Sequence, residues 1–152
     1  MIAAELEKKV SGLIRDSIDE KYSVDFILSH GLNDEIVSGV DRAGVDFKIA
    51  VAVSGPTFES YTVPVAECVV AVTVAARREI FPAAEKITEA LSGFERFLLR
   101  LQLDSETVDD LSLENFRAAG VRLADAPALE FQREEDIFIL SRAFTVRGAA
   151  AI

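Results

Sequence analysis

Cys68-Val69-Val70-Ala71-Val72-Thr73-Val74, running on through Ala76 and then into Ile80–Gln102, decides how this chain is read. The first half is crowded with β-branched residues and too short for a typical helix, so Val65–Ala76 is predicted to be a buried strand. The second half carries Ile80, Ala84, Ile87, Leu91, Phe94, Leu98 and Leu101 at alternating steps of four and three. That spacing puts one apolar stripe along a single continuous helix. Pro82 suits a first-turn position, where its missing N–H costs nothing. Glu79, Glu85 and Glu89 toward the start, with Arg96 and Arg100 toward the end, complement the helix dipole. The unit therefore lays one helix across a sheet.

Working outward, Val45, Phe47, Ile49, Val51 and Val53 alternate with polar or small residues. This is a half-buried strand, ended by Ser54-Gly55-Pro56 and most simply antiparallel to Val65–Ala76. Pro64 fits a strand start or an edge. Residues 2–20 read as an amphipathic helix with Ile2, Leu6, Val10, Leu13, Ile14 and Ile18 on one face. Residues 23–44 are predicted to be irregular, with one or two short helices. Val24–Leu28 fits either a strand or a helical turn, and Asn33–Val37 another turn. After the long helix, Leu103–Glu114 carries Asp104, Glu106, Asp109, Asp110 and Glu114 with no basic residue. It lacks the glycine and ligand alternation of a calcium-binding loop, so the expectation is a solvated, mobile acidic loop without metal.

Strands return with Val121–Leu123, Ala128–Gln132 and the long alternation Ile137–Arg147, which form a closing hairpin around Arg133–Asp136. Arg142 interrupts the apolar face of Phe138, Leu140, Phe144 and Val146 and must reach an acidic group or the rim. Residues 148–152 read as a loose tail. The order helix, strand, strand, helix, strands makes an α+β fold: one domain over 1–152, a largely antiparallel sheet, an N-terminal helix and one long amphipathic helix.

A chain of 152 residues with half of them hydrophobic has enough apolar material for one core. No apolar run approaches the ~20 residues that cross a bilayer, and no signal pattern opens the sequence, so a soluble intracellular protein is expected. The net charge of −10 repels nucleic acid and anionic lipid. The basic pairs Lys8-Lys9 and Arg77-Arg78 lack interleaved aromatics, so neither nucleic acid nor membrane is expected as a partner. One cysteine excludes an internal disulfide and a multi-cysteine zinc site.

Catalytic groups are sparse. His30 is the single histidine, beside Ser29, but no Gly-x-Ser-x-Gly elbow accompanies it. Cys68 lies among valines, where a thiol is core filler. No glycine-rich phosphate loop occurs. Neither an enzyme nor a cofactor is expected, and no catalytic, cofactor-binding or metal residue is assigned. What remains is surplus apolar surface available for self-association. Phe58 and Tyr61 sit in one excursion, and Leu111, Leu113 and Phe116 by the acidic loop. Arg77 and Arg78 at a strand end are placed to meet a neighbour's acidic groups, and Phe81, Phe97 and Leu99 lie partly off the helix stripe.

The layout resembles the tail-terminator (tail-completion) proteins of long-tailed phages. The echoes are Val69–Val74 leading into Ile80–Gln102, and Asp136-Ile137-Phe138-Ile139-Leu140-Ser141-Arg142-Ala143-Phe144-Thr145-Val146. In that family the second segment often has a tryptophan near its start; here Phe138 stands at that place. The resemblance implies a non-catalytic phage or prophage tail protein. It would close into a hexameric ring on the tail tube, with the tube protein and the head–tail connector as partners. It would be found in the host cytoplasm before assembly and in the virion tail after it. The alternative from the same residues is a non-viral α+β binding or assembly module, dimeric rather than ring-forming.

Overall fold

The computed structural model describes residues 1–30, 44–59, 64–124 and 129–150. Its α+β architecture follows the order α1 (Ile2–Ser17), β1 (Val24–Leu28), β2 (Phe47–Phe58), β3 (Val65–Arg77), α2 (Ala84–Ala90), α3 (Ser92–Leu103), α4 (Ser105–Asp109), β4 (Phe116–Leu123), β5 (Glu130–Gln132) and β6 (Ile137–Ala150). The sheet runs β1-β2-β3-β6-β4, with β5 also paired to β6. All pairings are antiparallel except β1 with β2.

β3 is the middle of this sheet because its alternation can be satisfied on both sides. Val51, Val72 and Arg142 lie in register on one face, as do Val53, Val70 and Phe144. That face meets Leu6, Val10 and Ile14 of α1 and Phe94, Leu98 and Leu101 of α3 in one apolar cluster. Arg142 projects into this layer, where its Nη2 donates to Glu95 Oε1 at 2.9 Å. The acidic partner that its position demanded is thus supplied by α3.

Several expectations are corrected. The single helix over Ile80–Gln102 is two, broken at Leu91 (φ −94°, ψ 8°). A Cβ on Gly93 would stand 1.8 Å from the carbonyl oxygen of Ser17, so α3 passes against the end of α1 where only glycine fits. The break lets α3 take that path while Ile87, Leu91, Phe94, Leu98 and Leu101 all stay buried. Ala84, placed on the same stripe, is exposed. Pro82 precedes the helix rather than sitting in its first turn. Phe81 is buried in a stack on Phe47, with centroids 4.8 Å apart, and Ala83 is extended at the cap.

Val24–Leu28 is a parallel edge strand, not irregular structure; pairing with Phe47–Val51 selects the extended form for an apolar run too short to show a period. The helical turn expected over residues 33–37 lies outside the described residues. β2 does not stop at Ser54-Gly55-Pro56. A register shift between Ser54 and Thr57 absorbs the cis Gly55–Pro56 bond, and Gly55 takes φ +104°, so pairing continues to Phe58.

Nor is Leu103–Glu114 a solvated loop. Asp104 caps α4, its carboxylate accepting the Glu106 N–H at 3.1 Å and the Thr107 hydroxyl at 2.8 Å. Val108 and Leu111 then anchor the segment in the core. The supposed tail is also ordered through Ala150. Gly148 and Ala150 are buried and pair with β3 and β4, because both neighbours offer open ladder positions there.

Candidate functional site

Self-association was the expected chemistry, and the structure sorts its residues unequally. Leu111 and Phe116 are 0% and 1% exposed. They are core residues under α4 and β4 and offer nothing to a partner. Leu113 is half-buried and bridges to Phe116. Phe58 is 46% exposed at the end of β2. Tyr61 lies outside the described residues. Arg77 is mostly buried and 3.4 Å from Glu79, with its Nε enclosed and unpartnered. Arg78 lies 3.8 Å from Asp136 and 5.3 Å over the Phe131 ring. The two arginines are therefore engaged within the chain. Phe58 and Leu113 share one end of the sheet. Arg77 and Arg78 sit at the other, about 40 Å away by the rise of a 13-residue strand. No single patch gathers the expected set.

Helix α3 carries a surface only partly foreseen. Leu99 is 53% and Leu103 78% exposed, and Arg96 and Arg100 are exposed on the same face. Positions 96, 99, 100 and 103 follow the i, i+3, i+4, i+7 spacing of one helix face, directly opposite buried Phe94, Leu98 and Leu101. Leu99 was legible as surplus beside the main stripe. Leu103 was read with the acidic segment that follows it.

The polar centre of the molecule was missed entirely. Glu7 is fully buried on the apolar side of α1. Its Oε2 accepts the Ser29 hydroxyl at 2.5 Å and the Val53 N–H at 2.9 Å, and its Oε1 accepts the His30 N–H at 2.8 Å. His30 Nδ1 also touches Oε2. Burial pushes the Glu7 carboxyl upward, but the hydrogen bonds from Ser29, His30 and Val53 outweigh it and hold the group below its usual range. The carboxylate is thus ionised at neutral pH and ties α1 to the end of β1 and the middle of β2. A signal existed in the spacing, since Glu7 falls three residues from Val10, four from Ala3 and seven from Ile14 on the buried face.

Serine, histidine and a carboxylate are together here, yet not in relay order. Ser29 Oγ lies 3.2 Å from His30 Nδ1, the nitrogen that also faces Glu7. A hydrolase triad needs the nucleophile on one ring nitrogen and the acid on the other. Here the hydroxyl donates to the carboxylate, so it is a member of the knot and not an activated nucleophile. Cys68 is fully buried between β2 and β6, and burial pushes its thiol up, away from the reactive thiolate. Among the described residues no group of three His, Cys, Asp or Glu could hold a metal ion, and no helix is long and apolar enough to cross a membrane.

Neither a protein-family model nor a curated protein matches this sequence.

Proposed function

We propose that this chain is a structural tail protein of a long-tailed phage or prophage, one that closes as a ring on the end of the tail tube and presents a face to the head connector. The observation that carries the reading is the arrangement around β3. It has β2 and β6 on its two sides, and its Val70–Val72 face shares one apolar cluster with α1 and α3, in the element order by which the sequence resembles tail-terminator proteins. The exposed apolar groups Phe58, Leu99 and Leu103 give such a protein surfaces to cover. The Glu7 knot, with its serine out of relay order, fits a protein whose work is assembly rather than catalysis.

The test is to add the purified chain to polymerised tail tubes from the same genome and image them by electron microscopy. Density capping one end of each tube, with elongation arrested, is the expected result. Tubes that keep growing, uncapped, contradict the reading.

A dimeric assembly module is the second reading, and one observation favours it. The sheet face away from the helices is lined by small residues in register, Ala52–Ala71–Ala143 and Ala50–Thr73–Ser141, with Val69 46% exposed. A flat face of that kind suits a second sheet about 10 Å away. Uncapped tubes together with a stable two-fold dimer would select it.

A further inference from the structure

We infer that the outward face of α3, Arg96, Leu99, Arg100 and Leu103, is the surface on which a second copy of this chain docks, and that the docking element of that copy is its acidic α4 segment. The inference rests on the reading that the chain self-associates, and it names the contact.

The face is built like half of an interface. Two leucines at helical spacing stand more than half exposed, which supplies the apolar centre. The arginines flanking them have no carboxylate within ion-pair reach among the described residues, although Asp16 lines the shallow groove beside them. Arg142, Arg147, Arg77, Arg78 and Arg117 each have an acidic partner within the chain, and of the described arginines without an ion pair, Arg15, Arg96, Arg100, Arg122 and Arg133, only the α3 pair flanks exposed leucines. Two helices meeting through this face alone would bring Arg96 and Arg100 against their own copies, since positions 96, 99, 100 and 103 hold no carboxylate and the acids nearby, Asp16, Asp19, Glu20 and Glu89, line the grooves to the side. The face is therefore not self-complementary and calls for a different, acidic surface.

That surface is present on the same chain. Residues 104–114 hold five carboxylates and no basic residue. Asp104 is used in capping α4, and Asp109 is shared with Ser112 and Arg117. Glu106, Asp110 and Glu114 remain exposed, and no ion pair engages them among the described residues. Copies carrying a net charge of −10 repel one another. Contact becomes favourable where a copy sets its unpartnered arginines against its neighbour's unpartnered carboxylates. The leucines then supply burial, and the charges supply direction and rate.

Sedimentation equilibrium of two charge-reversed proteins tests this. One carries Arg96→Glu and Arg100→Glu; the other carries Glu106→Arg and Asp110→Arg. All four sites are exposed, and far-ultraviolet circular dichroism is expected to stay that of the parent. Each variant alone is expected to lose self-association by about tenfold or more. Mixed in equal amounts they are expected to associate as the parent does, since every contact is again complementary. Leu99→Ser is expected to weaken association as well, and added salt to weaken it further. Parent-like association of either variant alone overturns the contact. Loss in both with no recovery on mixing overturns α4 as the docking element. A parent chain that stays monomeric at every concentration removes the contact together with the reading beneath it. Recovery on mixing with a complex of only two chains keeps the contact and removes the ring.

Discussion

Glu7 Oε2 accepts the backbone N–H of Val53 at 2.9 Å, a hydrogen bond between residues 46 positions apart that joins the middle of α1 to β2. A carboxylate with no solvent exposure keeps its charge only because Ser29 and His30 donate to it as well. Glu7→Ala would leave the buried Val53 N–H without an acceptor, while Ser29 and His30, which are exposed, could turn to water. Leaving a buried donor unsatisfied costs about 1–3 kcal/mol, and chemical denaturation should read a loss of that size. A loss below about 1 kcal/mol would mean that water reaches the Val53 N–H too.

The same group sets a pH dependence. Its carboxyl is held below the usual value of 4.5 in the folded chain, so the unfolded chain binds the proton first as pH falls. The stabilisation is complete above that usual value and is lost as pH falls through the lower, folded one. Urea midpoints measured between pH 6 and pH 3 should therefore drop in the acid part of the range. Glu7→Gln should flatten that part of the curve, and an unchanged slope would assign the acid sensitivity elsewhere.

Gly93→Ala separates local propensity from packing. In an exposed helix the change stabilises by about 1 kcal/mol, because alanine loses less backbone freedom. Here the added Cβ would meet the Ser17 carbonyl oxygen at 1.8 Å, and neither backbone can yield cheaply. A lower melting temperature, corresponding to a loss of about 1–3 kcal/mol, is expected. A rise would show that α1 and α3 do not pass this closely.

Cys68 should be silent toward a thiol reagent in the native protein and react fully once unfolded. It is 0% exposed and burial raises its thiol. Rapid native labelling would contradict its place between β2 and β6.

What could be read from residues alone was whatever rests on period. Val70, Val72 and Val74 against Val51 and Ile49 show it in the sheet, and Ile87, Leu91, Phe94 and Leu98 in the helices. Arg142 was legible too, because a charge on an apolar face must find a partner, and Glu95 is that partner. The features that escaped depend on contacts between distant residues. Ser92-Gly93 weakens the helix beside Leu91, but the reason for the break, the Ser17 carbonyl, lies far off in the sequence. Five residues of β1 have no period long enough to separate strand from helix, and their parallel partner lies more than twenty positions on. Two further features are legible in the residues. Asp104 before Ser105-Glu106 is a helix-capping pattern, and Glu7 stands within the buried stripe of α1. Two of the residues expected to self-associate are interior for a simpler reason. Leu111 and Phe116 are apolar because they are core, and surplus apolar character alone does not tell a partner surface from an interior.

The central claim is that this chain closes into a ring of its own copies, and the molar mass of the parent protein in solution tests it most directly. Sedimentation velocity over a wide concentration range should show a 16.6 kDa monomer giving way, with reversible exchange, to a closed complex of six copies at about 100 kDa. A mass that stops at two copies, or that never leaves the monomer, would contradict it.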